Sequence, residues 1–334
     1  MKTTINDISN ITGVSASTIS RVINNNGYVK KETQQIVEEA IIKNGYFKVK
    51  KSKARNAFSD IVLIFVESIT SSVYIDFISG ISKHLRKNGK TPYVYINDFS
   101  PENEIGQLLF ANKSGIAGVL MLSAIESPEL LAVLENISCP VVAVNRYLRS
   151  IEVDTVILDN YKVGFMATNL LIKNGHTKIT HLAGPPNSTA TQDRIRGYKD
   201  AMNMAGLSVE PNGICHGDLT YQSGCDFAKR IMSDLKDFTA VFCTNDTMVT
   251  GFIVTLYENG MRCPEDVSVI CAENTSEIMI GQVKITTIGY DRIVMGRSAA
   301  ELLLERIANI NGKKKTISYS PHIFEGNSVL SLNE

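Results

Sequence analysis

The chain has 334 residues, 44% of them hydrophobic and 20% charged, which suits ordinary globular material in two or three domains. Its 34 Lys/Arg balance 34 Asp/Glu, which excludes a uniformly basic or acidic protein. No apolar run approaches the ~20 residues of a membrane span, the longest being 61–66. Met1-Lys-Thr-Thr leads directly into an amphipathic segment and offers no signal peptide, so a cytoplasmic protein without membrane contact is expected.

The charge is unevenly distributed. Residues 1–59 carry ten Lys/Arg against four Asp/Glu, an excess of six that the remainder offsets. A basic head on an acidic body fits a nucleic-acid-binding module attached to another domain. The six cysteines (Cys139, Cys215, Cys225, Cys243, Cys263, Cys271) have no CxxC spacing and sit largely in apolar runs. They are read as reduced, buried thiols, and with five scattered histidines neither a metal nor a cofactor is expected.

In chain order, the first feature is a pair of short helices joined by a tight turn. Thr4 and Asp7 form a capping-box-like start, and Ile5, Ile8 and Ile11 recur at helical spacing. Gly13 supplies the turn, Ser15 caps the second helix, and Ile19, Val22 and Ile23 form its inward face. Ala16, Ser17, Thr18, Ser20 and Arg21 are left outward: a small, polar face tipped by one guanidinium. Such a face suits a helix in the DNA major groove, where hydroxyls meet phosphates and Arg21 reaches a guanine edge or a phosphate. A plain surface helix in a small bundle would share the pattern. A third helix is predicted over 32–44, with Ile36, Val37, Ala40 and Ile41 inward and Gly45 as its stop. The basic stretch 46–58 reads as a linker able to track phosphates or to become helical on binding.

From Asp60 the pattern alternates between strand and helix. Apolar runs at 61–66, 93–96, 116–122, 141–144, 156–158, 179–183, 240–243 and 267–272 are predicted as buried parallel strands. Amphipathic stretches such as 75–87, 163–174 and 248–259 lie between them. The fold class is therefore α/β with helices on both sheet faces, arranged in two lobes. Lys313-Lys-Lys315 reads as a solvated turn. Ligands of open α/β sheets bind beyond the carboxyl ends of the strands. That selects Asn145-Arg146, Asn245-Asp246, Glu273-Asn274 and Gly184-Pro-Pro-Asn-Ser188 with Arg194 beyond it. A site lined by Asn, Asp, Glu and Arg suits a hydroxyl-rich ligand, while each residue taken singly could equally be a helix cap or an ion-pair partner.

The head from Thr4 to Tyr46, with Val14-Ser-Ala-Ser-Thr-Ile-Ser-Arg21-Val-Ile-Asn24, is followed in order by Asp159-Asn160, Asn174-Gly-His176 and Leu182-Ala-Gly-Pro185. Arg194-Ile-Arg-Gly-Tyr198, Gly217-Asp218, Asn245-Asp246 and Pro264-Glu-Asp-Val-Ser-Val-Ile270 complete the series. Over nearly its whole length the chain resembles the LacI/GalR repressors. The resemblance implies an N-terminal three-helix helix-turn-helix head (1–46), a basic hinge (47–59) and a two-lobed periplasmic-binding-protein-like α/β core (60–334). Lobe one would span about 60–158 and 291–320, and lobe two about 159–290. It implies a homodimer or tetramer that binds double-stranded operator DNA and whose lobes close on a small effector, commonly a sugar or a nucleobase.

Carried over by position, Ala16 and Ser17 match the family's base-reading pair, with Arg21 a third reader. Thr4 belongs to the DNA-facing head, and Ser15, Thr18 and Asn24 match phosphate contacts. Arg194 matches the effector-binding arginine and Asn245 the pocket asparagine. Arg146 joins them, Tyr74 and Phe77 fall on the first lobe's apolar pocket wall, and Tyr290 lies near a further contact. The chain departs from the family at Cys271-Ala-Glu273-Asn274, which stands for Gly-Phe/Tyr-Asp-Asp and lengthens the acid by one methylene. It also lacks the usual Pro-Asn hinge entry and a clear minor-groove leucine, Arg55 and Ala57 being the nearest matches.

The leading expectation is a transcription regulator controlled by a sugar-like effector, with a nucleobase or a protein corepressor as the alternative signal. An enzyme is disfavoured because no GxGxxG after a strand, P-loop, GxSxG or Ser/His/Asp spacing is present. A secreted solute-binding protein would share the core but not the basic head.

Overall fold

A computed structural model of the protein describes residues 4–24, 27–44, 58–67, 72–97, 100–122, 126–234, 238–272 and 278–333. The chain divides into two compact units, residues 1–155 with 296–316 and residues 156–295 with 317–334, so that it passes from one to the other three times.

The head consists of α1 (Ile5–Thr12), α2 (Ala16–Asn24) and α3 (Lys31–Lys43). Thr4 closes a full capping box: its hydroxyl accepts from the Asp7 backbone N–H while the Asp7 carboxylate accepts from the Thr4 N–H at 2.7 Å. Gly13 takes φ 68°, a left-handed conformation that a Cβ would penalise. Ile8, Ile19, Val22, Val37 and Ala40 form the core of the head, flanked by Ile5, Val14, Ile23, Val29 and Ile41. Two sequence expectations are corrected. Ile11 is 58% exposed, because each step of three residues falls about 60° short of a full turn and the third member of an i, i+3, i+6 series drifts off the face. Ile36 is 50% exposed for a related reason, standing roughly 100° around the helix from Val37.

The first unit continues with β1 (Ile61–Val66), α4 (Ser72–Lys87), β2 (Thr91–Ile96), α5 (Pro101–Ser114), β3 (Gly118–Met121), α6 (Pro128–Asn136), β4 (Val141–Val144) and the start of β5 (Asp154–Leu158). The second holds α7 (Asn160–Lys173), β6 (Ile179–Ala183), α8 (Thr189–Met204), β7 (Ile214–His216), α9 (Tyr221–Asp234), β8 (Ala240–Cys243), α10 (Asp246–Glu258) and β9 (Ser268–Cys271). A small hairpin, β10 (Met279–Ile280) and β11 (Val283–Lys284), precedes β12 (Thr286–Gly289). Helix α11 (Arg292–Ala308), β13 (Thr316–Tyr319) and β14 (His322–Phe324) complete the chain.

Two six-stranded sheets result, ordered β13-β5-β4-β3-β1-β2 and β14-β12-β9-β8-β6-β7. The pairs β1–β2, β1–β3, β3–β4, β6–β7, β6–β8, β8–β9 and β9–β12 are parallel, whereas β14 joins β12 antiparallel. Burial on both faces explains the uninterrupted apolar strands. In β8, Val241 and Cys243 belong to the core cluster with Phe252 and Leu256 of α10, while Ala240 and Phe242 belong to the one with Leu171 of α7 and Tyr198 of α8. Strand β2 departs from expectation: it is parallel but lies at the sheet edge, where Tyr93 and Val94 are exposed. All six cysteines are buried and free. No helix among the described residues is long and apolar enough to cross a membrane.

The first unit is closed by a buried ion pair that the sequence did not announce. Arg306, at the end of α11, donates from Nε to Asp154 Oδ2 at 2.6 Å and from Nη2 to Oδ1 at 2.9 Å. Both side chains are buried. The remaining N–H groups reach the Ile310, Gly312 and Lys313 carbonyls, and the Lys315 N–H donates to Asp154. The backbone of the exposed lysine run is thus half of a clamp. Removing one partner leaves a charge stranded out of water. Arg306→Ala is expected to lower stability by about 3–5 kcal/mol in urea unfolding; a loss under about 1 kcal/mol would show the pair to be incidental.

Candidate functional site

The head presents one coherent polar surface. Ser15 and Ser17 are exposed and their hydroxyls lie 2.9 Å apart; the Ser15 hydroxyl is also 2.9 Å from that of Thr18 and accepts from the Thr18 N–H at 3.2 Å. Three hydroxyls therefore gather at the N-terminus of α2, where unpaired N–H groups and the helix dipole favour a phosphate. Ala16 is half-buried and Arg21, one turn further on, is exposed. Thr4 keeps its hydroxyl for the capping box. The Asn24 side chain and the linker residues 47–57, with Arg55 and Ala57, lie outside the described residues.

Each sheet of the core carries a strand order of the 2-1-3-4-5 type, whose reversal point is where ligands of open α/β sheets bind. In the second unit that point lies between β6 and β8, beyond their carboxyl ends. Arg194 of α8 is there, buried at 9% exposure, donating from Nε to Asn160 Oδ1 at 2.9 Å and from Nη1 to the Thr244 carbonyl at 3.0 Å. Burial pulls its pKa down to about 10, so it stays charged at neutral pH. A close helix crossing sets its position. A Cβ on Gly164 of α7 would fall 2.1 Å from the Arg194 carbonyl oxygen, and one on Gly197 of α8 would fall 2.1 Å from that of Tyr161. The two glycines let α7 and α8 touch backbone to backbone, which places Asn160 against Arg194. The buried Thr244 hydroxyl meets no partner among the described residues.

Asn245 is engaged at both ends of its amide. Oδ1 accepts from the Met248 N–H at 3.1 Å as the cap of α10, and Nδ2 donates to the Leu219 carbonyl at 3.0 Å. It positions Leu219, which is 40% exposed with φ 70°. Tyr290 packs its ring 4.5 Å from that of Tyr319 and 5.4 Å from that of His322, within the second unit. Glu273 lies outside the described residues. A cavity of about 460 Å³ on the same unit, lined by Leu182, His216, Asp218, Ser223, Asp226 and Arg230, lies on the β6–β7 side of the sheet.

In the first unit the reversal point lies between β1 and β3. Arg146, beyond β4, donates from Nη2 to Glu67 Oε1 at 2.9 Å and from Nε to the Leu122 carbonyl at 3.2 Å. The Tyr74 hydroxyl donates to Glu67 Oε2 at 2.7 Å. Burial and then the Glu67 charge push the Tyr74 phenol well above its usual pKa. Burial alone would lower the Arg146 pKa, but Glu67 and Tyr74 outweigh it and the net shift is upward. Phe77 is 1% exposed and offers no open ring face for stacking.

The structure thus joins Tyr74 to Arg146 through Glu67, and Arg194 to the turn after β8 through Thr244. Sequence reasoning gave no pocket role to Glu67, Thr244 or Leu219, and named Asn160 only within the Asp159-Asn160 motif. The available signal was position: Glu67 follows β1 directly, as Thr244 follows β8.

Residues 4–48 match the family described as bacterial regulatory proteins, lacI family. Residues 59–327 match periplasmic binding proteins and sugar binding domain of LacI family. The chain is 31% identical over 333 residues to the HTH-type transcriptional repressor PurR of Vibrio campbellii (strain ATCC BAA-1116), and 30% identical to the repressor of that name from Vibrio atlanticus (strain LGP32), with 99% of each chain covered in both cases. A solved structure of the transcriptional regulator CelR in complex with cellobiose matches with TM-score 0.74 and 27% identity, covering 98% of this chain and 100% of that one. The lac repressor dimer bound to operator and the anti-inducer ONPF matches with TM-score 0.73 over 99% and 100%; at 19% identity this is a likeness of fold alone.

The second unit also contains a titrating group whose effect can be measured. His181 of β6 is fully buried, stacked 4.2 Å from the Phe242 ring, with Nδ1 2.9 Å from the Phe242 carbonyl. Burial lowers its pKa to about 3, the hydrogen bond opposing only in part. The unfolded chain binds this proton near pH 6.5 and the folded chain does not, so stability is full above that pH and falls as pH drops towards 3. Between pH 7 and pH 5 the protein is expected to lose about 2 kcal/mol more than His181→Gln in urea unfolding. Parallel curves for the two would refute the assignment.

Proposed function

The chain belongs to the LacI family of bacterial regulatory proteins and is a DNA-binding transcriptional repressor of that family; on that premise we propose that it is a cytoplasmic homodimer whose operator affinity is set by a small sugar-like effector. Residues 1–46 serve as the DNA-binding head, 47–59 as the hinge and 60–334 as the effector-binding and dimerisation core. Thr4, Ser15, Ala16, Ser17, Thr18, Arg21 and Asn24 meet the operator, Thr4 also capping the first helix. Arg194 is the main effector contact, with Asn245, Glu273, Tyr290, Tyr74, Phe77 and Arg146 as the further contacts.

The observation that carries this reading is Arg194: a buried guanidinium at a strand-reversal point, held by a side-chain amide and a backbone carbonyl. Planar, charge-assisted donors of this kind suit vicinal hydroxyls. A sugar is favoured because the matched family is described as containing a sugar binding domain and a similar structure holds cellobiose. The exposed edge strand β2, with Tyr93 and Val94 open, supports self-association, since an uncovered edge invites pairing. No catalytic step enters the mechanism. The effector acts only through unequal affinity for the DNA-competent and DNA-incompetent states, and linkage makes the coupling reciprocal.

The test is a binding pair. In fluorescence anisotropy with an operator selected from random DNA, Arg21→Ala is expected to weaken binding by about 1–3 kcal/mol and to leave effector binding unchanged. In a thermal-shift panel of sugars, sugar phosphates and nucleobases, the stabilising compound should lose its effect on Arg194→Ala while DNA binding persists. Wild-type operator affinity in Arg21→Ala would overturn the recognition-helix assignment. A compound that still stabilises Arg194→Ala would overturn the effector assignment.

A further inference from the structure

The Glu67 carboxylate is engaged from both sides: Arg146 donates to one oxygen at 2.9 Å and the Tyr74 hydroxyl to the other at 2.7 Å. The Glu67 side chain is 11% exposed and that of Arg146 27%. Leu122, directly after β3, fixes the guanidinium from a third direction. A guanidinium is a ready receptor for carboxylate and phosphate groups. Here that capacity is taken by a carboxylate of the chain itself.

The consequence is a charge filter. An anion approaching Arg146 must displace Glu67 or sit beside it, and two negative groups within a few ångströms in a partly buried site repel strongly. A hydroxyl meets no such barrier. It can donate to Glu67 or to the Tyr74 oxygen and accept from Arg146 without disturbing the pair.

We propose that Glu67 sets the charge class of the effector group received at Arg146: that group is neutral and hydroxyl-bearing, and phosphate or carboxylate groups are excluded there. The proposal rests on the reading of the core as sugar-responsive and narrows it to neutral sugars and polyols at this position. Glu67 acts as an internal competitor for the Arg146 guanidinium.

The test uses the full-length protein and inorganic phosphate as the probe. Melting temperatures are compared in phosphate and in chloride at equal ionic strength for wild type, Glu67→Asp, Glu67→Gln and the double variant Glu67→Gln/Arg146→Gln. Wild type and Glu67→Asp should respond to phosphate equally and weakly, any contribution from the α2 end being common to all four proteins. Glu67→Gln should gain about 3 °C or more in saturating phosphate, because an exposed guanidinium then binds the anion in the folded state only. The double variant should lose that gain. A Glu67→Gln protein blind to phosphate, or a wild type that gains as much, would overturn the proposal.

Comparing glucose with glucose 6-phosphate and glucuronate on the same proteins separates the two readings. Exclusion of the charged forms by wild type but not by Glu67→Gln supports the filter. Absence of any response to these and the wider sugar panel would overturn the sugar reading, while the phosphate contrast still decides the role of Glu67.

Discussion

Taking a guanidinium out of water is among the costliest things a fold can do, and three arginines of this chain, Arg306 and Arg194 buried and Arg146 half-buried, are held in three different ways. Arg306 is matched by a buried carboxylate in a two-point pair, with carbonyls meeting its remaining N–H groups. That arrangement suits a clamp, since every donor is used inside the protein. Arg146 shares its carboxylate with a tyrosine and keeps an edge exposed. Arg194 is held by an amide and a carbonyl, and its lowered pKa records what that costs. The gradient from Arg306 to Arg194 runs from full pairing with a carboxylate to none.

The sheets make that gradient possible. A parallel strand buried on both faces has little place for a charged side chain along its length, and His181 of β6 stands there neutral, so charged and ligand-facing chemistry collects where strands end. Glu67 follows β1, Leu122 follows β3, and Thr244 and Asn245 follow β8. The reversal of strand order opens space there for side chains from neighbouring elements. In the second unit the opening is set by two glycines, because the contact between α7 and α8 has no room for a Cβ on either. Arg194 is delivered by helix packing and received by a strand end.

This division also explains what could be read in advance. The strands at 61–66, 141–144, 179–183 and 240–243 were legible because burial on both faces leaves uninterrupted apolar runs, as were the three head helices from caps and periodicity. Edge elements were not. Strand β7 has three residues, and β13 and β14 are largely exposed, so none leaves an apolar run. Ile11 and Ile36 misled because spacing of three or adjacency to the core face is only approximately a helical period. Among site residues, Arg194 and Arg146 could be named from motif and position. Their partners could not, since Glu67 lies 79 residues from Arg146 and Asn160 lies 34 from Arg194. Nothing in local sequence distinguishes a carboxylate that will meet a distant guanidinium from one that faces water. Phe77 shows the converse, an aromatic whose position suggested a pocket wall and whose ring belongs to the packed interior.

The head follows a different logic, because its function lies in what it leaves outside. Its core is only a handful of aliphatic residues, so caps carry an unusual share of its order. The same hydroxyl that caps α2 sits beside two others at the helix end where a phosphate is favoured. Phosphate contacts of this kind fix register and orientation but carry no sequence information, and the excess of basic residues before residue 60 adds affinity of the same indifferent kind. Discrimination must then come from the few side chains that reach bases. In the proposed docking Ala16 and Ser17 are short, so they would read a thymine methyl or a single base edge only with the helix deep in the groove, and Arg21 would supply the longer reach. A helix with small residues at its leading end and a guanidinium one turn on suits close approach, with the Ser15-capped N-terminus as the end that meets the groove in the proposed docking.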